Sequence, residues 1–205
     1  MQPSSLRRVA LLCAALAIAE NACGGRWTVP DPTIAAEAAA TKTYSARLRI
    51  ALDGPTLRAR TPVLIAFRRP DALRIEVPGP AGPRLVAVAA AGNLWAVFPS
   101  ERAFFAGQAT EADFEALLGI ALTPGEVIDL LMGLPPARLR TYEARWQGPL
   151  PARIRATLPD GGRLTVSVED PERGAVLPDQ AFDEPPHAGY RTIAAAEARR
   201  FWGGR

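Results

Sequence analysis

Cys23 is the residue of this 205-residue chain whose type and setting specify a chemistry most narrowly. Arg7 and Arg8 precede an apolar run over residues 9–19, and Ala22 stands immediately before Cys23-Gly24-Gly25. A basic start, a short apolar stretch and a small residue before the cut are the parts of a secretory leader. The run has 11 residues, about half of the roughly 20 that cross a bilayer as a helix, so residues 1–22 are expected to be removed and not retained as a span. The other cysteine, Cys13, falls inside the leader, which leaves Cys23 without an intramolecular disulfide partner. Lipidation of Cys23, with palmitate among the attached chains, gives an unpaired exported cysteine a purpose. Glu20 departs from the usual pattern, which carries leucine or a similar residue three places before the cysteine. The alternative is an ordinary cleaved leader with Cys23 as an incidental thiol.

Other candidate chemistry is sparse. The single histidine, His187, lies in the proline-rich segment Asp183-Glu184-Pro185-Pro186-His187 with no cysteine or second histidine nearby, so a solvated loop histidine is expected and a metal site is not. Glu76, Glu143 and Glu169 fall on strand positions that read as outward, away from any paired carboxylate. No nucleophile elbow, phosphate loop or dinucleotide fingerprint occurs. The chain is therefore read as non-catalytic and without cofactor.

Composition agrees. Without residues 1–22 the chain keeps about 183 residues, enough for one domain with a sizeable core. Twenty-two basic side chains then face 20 acidic ones, a balance of +2 that does not point to nucleic acid. Lys42 is the only lysine, and the arginines alternate with apolar residues as on a solvated sheet face.

The elements follow from periodicity. Residues 23–42 read as a tether and a short helix, and residues 43–205 as a single domain. Period-two alternation starts at Thr43 and puts Leu48, Ile50 and Leu52 on one face. A second strand over residues 57–69 carries Val63, Ile65 and Phe67 inward, with Pro62 marking a bulge or an unpaired edge position. Leu73, Ile75 and Val77 form a third, and a hairpin turning at Gly92-Asn93 and a short Phe104-Phe105 strand complete an antiparallel meander. Helical signals replace it at Thr110. Thr110-Glu111-Ala112-Asp113 and Thr123-Pro124-Gly125-Glu126 are helix starts, the second with proline at the first helical position and an acid at the third. Both helices are apolar enough to require burial against the sheet. Strands return over residues 138–146, 152–158 and 163–169, the last two joined by Pro159-Asp160-Gly161-Gly162. A proline-rich stretch, one or two strand residues and a short helix end the chain.

The segment Leu117-Leu118-Gly119-Ile120-Ala121-Leu122-Thr123-Pro124-Gly125-Glu126-Val127-Ile128-Asp129-Leu130-Leu131-Met132-Gly133-Leu134-Pro135 resembles the helical region of the LolB-type outer-membrane lipoprotein receptors, within the wider family of lipoprotein carriers. Arg74-Ile75-Glu76-Val77, Pro80-Ala81-Gly82 and Ala103-Phe104-Phe105-Ala106-Gly107 fall in the order that family shows. The resemblance implies a mainly β, α+β fold: an open, curved antiparallel sheet, an incomplete barrel, with a short-helix lid over its concave face. It implies an outer-membrane protein held by a lipid at Cys23, facing the periplasm, binding acyl chains as a chaperone-like receptor. Such a protein takes lipoproteins from a periplasmic carrier, as a monomer, and helps insert them. By matched positions the cavity is lined by Leu48, Ile50, Val63, Ile65, Phe67, Leu73, Ile75 and Val77, with Phe114, Leu118, Val127, Leu130 and Leu131 as the lid. Pro80, Ala81 and Gly82 correspond to the membrane-insertion loop, where the family carries a large apolar residue and this chain has alanine. The competing expectation is a non-catalytic accessory envelope lipoprotein with a closed core that binds a protein partner.

Overall fold

Alternation from Thr43 onward decides which side of a sheet each side chain meets, because successive Cβ atoms on a strand point to opposite faces. The computed structural model describes residues 27–28 and 32–202. Cys23, the leader over residues 1–22 and most of the tether lie outside the described residues. The first half runs β1 (Trp27–Thr28), α1 (Pro32–Ala40), β2 (Thr43–Asp53), β3 (Arg58–Arg68), β4 (Ala72–Gly79), β5 (Gly82–Ala90), β6 (Asn93–Phe98) and β7 (Ala103–Gln108). Two short helices follow, α2 (Glu111–Leu118) and α3 (Pro124–Leu131), and then β8 (Thr141–Gln147), β9 (Leu150–Thr157) and β10 (Arg163–Arg173). β11 (Arg191–Thr192) and α4 (Ala195–Trp202) come last.

Among the described residues these strands form one open, curved sheet in the order β1-β8-β9-β10-β2-β3-β4-β5-β6-β7-β11. Only β11 runs parallel to its neighbour, β7. β2 to β7 make the expected meander. The second set of strands attaches to the free edge of β2 through β10, with Leu164 opposite Leu52 and Val166 opposite Ile50. Strand order has a geometric consequence: β7 and β8 lie toward opposite ends of the sheet, so the connection between them must cross one face, and the apolar residues of α2 and α3 pack against the inward side chains of the concave side.

Pro62 takes the second of its two expected places: β2 and β3 stay in unbroken register from Thr43↔Arg68 to Asp53↔Arg58, without a bulge, and Pro62 sits where β3 is paired with β2 alone, the pairing with β4 having ended at Leu64. One detail differs from the sequence reading. The β5–β6 turn is made by Ala91 and Gly92, both at positive φ (48° and 79°), one residue earlier than expected.

The continuous apolar run of β5 is buried on both faces. Leu85, Ala87 and Ala89 join the concave core, while Val86 and Val88 join Val97, Phe104 and Phe182 in a second cluster on the convex side. A proline-rich strap containing the 3-10 turn Asp179–Phe182 covers that cluster. Arg68 and Arg74 hold the strap by donating to the carbonyls of Leu177 (3.5 Å) and Ala181 (3.1 Å). His187 belongs to the strap and is not a free loop side chain: its ring stacks on Phe104 with centroids 3.7 Å apart and planes 5° from parallel.

Candidate functional site

The lid helices are short, so their ends must be fixed by side chains. At α3, the Thr123 amide donates to Glu126 Oε2 (2.8 Å) and the Glu126 amide donates to Thr123 Oγ1 (3.3 Å), a reciprocal cap with Pro124 at the first helical position. At α2, Thr110 accepts from the Asp113 amide (3.2 Å), but Asp113 turns away to accept from the Gln108 amide (2.8 Å). The sequence motif thus yields a half-box there. Gly119 and Gly133, at φ of 69° and 78°, let the chain leave each helix in a left-handed conformation that other residues resist. A Cβ on Gly133 would lie 2.0 Å from the Trp146 ring.

Arg138, in the segment leading to β8, gathers the lid. Its Nε donates to Glu126 Oε1 (2.7 Å), one terminal nitrogen to Glu111 (2.6 Å), and the other to Glu126 Oε2 (3.0 Å) and the Ala121 carbonyl (2.9 Å). The first turns of α2 and α3 are thereby tied to one guanidinium. Burial alone would raise the Glu126 carboxyl, but donation from Arg138 and Thr123 outweighs it and holds the group below the usual carboxylate range.

Two polar contacts fasten α3 to the sheet. Arg69, at the β3–β4 turn, donates to Asp129 (2.7 Å), while its Nε and second terminal nitrogen are buried without a hydrogen-bond partner among the described residues. Tyr142 of β8 donates to the Leu130 carbonyl (3.4 Å), and burial pushes its phenol up so that it remains a neutral donor. The rest of the seam is apolar.

Within the seam lies a cavity of about 50 Å³. Leu48, Ile50, Val63, Ile65, Ile75 and Val77 border it from the sheet, and Leu118, Val127, Leu130 and Leu131 from the lid. Three expected residues do not border it. Phe67 and Leu73 face each other across the β3–β4 hairpin at the other end of those strands, where Phe67 stacks on Tyr44 (centroids 5.2 Å apart), and Phe114 is buried core. Further bordering residues were not foreseen. Leu52 and Ala59 follow from strand periodicity, but Leu164 and Val166 come from β10 pairing with β2, and Ile120 and Leu122 from the link between the helices. Thr61 supplies the one polar side chain of the wall. It faces Ile50 across β2 and β3, and these two are the bordering residues that keep appreciable exposure.

Walls of this kind have no group to activate a nucleophile or hold a metal; they bind by excluding water. The volume matters as much. A ligand pocket commonly spans about 300–1,000 Å³, so this space is too small for an acyl chain as it stands, and its apolar lining offers a water almost no partners. Pro80 and Ala81 form a tight two-residue turn between β4 and β5, and they and Gly82 are exposed at the hairpin tip.

No family model matches the chain, and no curated protein matches it. Among solved structures it is similar to a LolA superfamily protein, NE2245, from Nitrosomonas europaea at 12% identity and a TM-score of 0.45, over 77% of this chain and 99% of that one. A DUF1329 family protein from Desulfovibrio piger matches at 8% identity and a TM-score of 0.45, over 78% and 97%. A putative outer membrane lipoprotein-sorting protein domain from Vibrio parahaemolyticus matches at 8% identity and a TM-score of 0.37, over 74% and 95%. Likeness at this level assigns no family.

Proposed function

We propose that this chain is a non-catalytic, membrane-anchored envelope lipoprotein whose sheet and lid part to accept acyl chains. In the manner of a LolB-type receptor, it takes lipoproteins from a periplasmic carrier and helps place them in the outer membrane. It works as a monomer without cofactor, held by a lipid on Cys23.

The observation that carries this reading is the seam itself: an almost wholly apolar joint between a curved sheet and two short helices, fastened to the sheet by few polar bonds. Because the cavity is about 50 Å³, binding requires the lid to move. Energetics permit this. About a dozen methylenes leaving water return about 10 kcal/mol at about 0.8 kcal/mol each, and an inserted chain keeps Val127, Leu130 and Leu131 covered on one side. Ala81 adds little to membrane insertion, since a single methyl buries little area. Insertion in this chain therefore relies on the anchor and not on a wedge.

Binding of a fluorescent acyl-chain probe tests the reading. Saturable binding is expected, with loss in Leu130→Glu and tighter or faster binding in Asp129→Asn, which frees the lid from Arg69. The same small volume favours a second reading, an accessory envelope lipoprotein with a permanently shut core. A well-folded protein that binds no probe in either form would establish that one instead.

A further inference from the structure

Outward positions of the strands nearest β1 carry arginines in register. Arg145, Arg153 and Arg49 fall in one row, through the pairs Arg145↔Arg153, Arg153↔Ser167 and Ser167↔Arg49. Arg155 and Arg60 fall in the next, through Thr165 and Ala51, with Glu143 opposite Arg155 at the β8 end of that row. The patch covers five adjacent strands, β8 to β3 in sheet order, or about 19 Å at about 4.8 Å per strand. Part of its charge is offset: Asp53 pairs with both Arg58 (2.9 Å) and Arg163 (2.6 Å), and Glu169 with Arg49 (2.6 Å). Arg47, Arg60 and Arg153 are exposed and have no ion-pair partner among the described residues. The chain without its leader is nearly neutral, so this field is local to one face.

The location of the patch decides its partner. β1 pairs Trp27 with Arg145 at the β8 edge, and Cys23 precedes Trp27 by four residues, a reach of at most about 14 Å when extended. A lipid on Cys23 would therefore hold this edge of the arginine face within one or two screening lengths of the bilayer, the screening length being about 8 Å at physiological ionic strength. Arginine's planar fork also matches phosphate geometry.

We propose that the convex arginine face of β8, β9, β10, β2 and β3 docks on anionic phospholipid headgroups, so that the anchored domain lies with this face on the membrane and its lid turned away. This rests on the reading of Cys23 as the anchor. It does not depend on the cavity accepting acyl chains.

Every described element lies at or after Trp27, so the unlipidated chain from Gly24 onward retains the whole described fold. Its sedimentation with vesicles of phosphatidylethanolamine and phosphatidylglycerol, against vesicles of phosphatidylcholine alone, tests the proposal. Binding to the anionic vesicles only is expected, weakening with salt. The combined Arg47→Gln, Arg60→Gln and Arg153→Gln variant should partition about 100-fold more weakly, about fivefold per arginine. A matched variant near the opposite edge and on α4, Arg102→Gln with Arg199→Gln and Arg200→Gln, should keep its binding. Equal loss in both variants, indifference to lipid charge, or binding to polyglutamate without binding to vesicles would each overturn the proposal. Unchanged thermal melting shows that the variants are folded. Acyl-probe binding reports separately on the cavity, so failure of one reading leaves the other measurable.

Discussion

Arg138 grips both oxygens of Glu126, with Nε 2.7 Å from Oε1 and a terminal nitrogen 3.0 Å from Oε2. The same carboxylate closes the cap of α3 on Thr123. One acidic side chain thus both starts the lid helix and joins it, through Arg138, to Glu111 at the start of α2.

Replacing Arg138 by glutamine should therefore cost about 1–2 kcal/mol, a charged bidentate bond discounted for partial exposure. It should also leave the two helices less firmly joined. Chemical denaturation checks the stability, and faster amide hydrogen exchange in both helices, with that of β2 to β5 unchanged, checks the location.

The pH dependence has a definite sign. The Glu126 carboxyl titrates lower folded than unfolded, so its contribution is complete above the unfolded value of about 4.3 and is lost as pH falls through the folded value. Glu126→Gln should melt below the parent protein at neutral pH, and the two curves should converge in acid. A constant difference across that range would contradict the assignment.

Gly133→Ala meets two obstacles together. The positive φ costs about 1–2 kcal/mol for a residue with a Cβ, and that Cβ would press into the Trp146 ring. Destabilisation of at least about 2 kcal/mol is expected, accompanied by a shift in tryptophan emission.

Ala91 is the opposite case. It occupies a left-handed position in a two-residue hairpin turn that favours asparagine followed by glycine, and Gly92 already follows. Ala91→Asn should stabilise the protein by about 1 kcal/mol in thermal melting, with acyl-probe binding unaffected.

Much of the fold can be read locally because the forces that set it are local. Alternation in β2 to β4 reports which side chains turn inward, and Thr123-Pro124-Gly125-Glu126 carries its own helix start, so six sheet residues and four lid residues of the cavity wall were identifiable by position. The wall contributed by Leu164 and Val166 was not, since nothing in a strand's own pattern states which edge it will join. Phe67 and Leu73 show the reverse error. Their alternation matches that of Val63 and Ile75, but distance along the strand places them in packed core beside Tyr44.

By itself, then, the sequence determined the strand faces, the helix caps and the apolar character of the lid, all consequences of neighbouring residues acting on one another. Only the tertiary structure decided that β10 returns to β2, that the lid's connection must therefore cross the sheet, that the seam is closed to about 50 Å³, and that scattered arginines align into one face. Each of these depends on contacts between residues far apart in the chain, whose pairing is settled by the packing of the whole sheet.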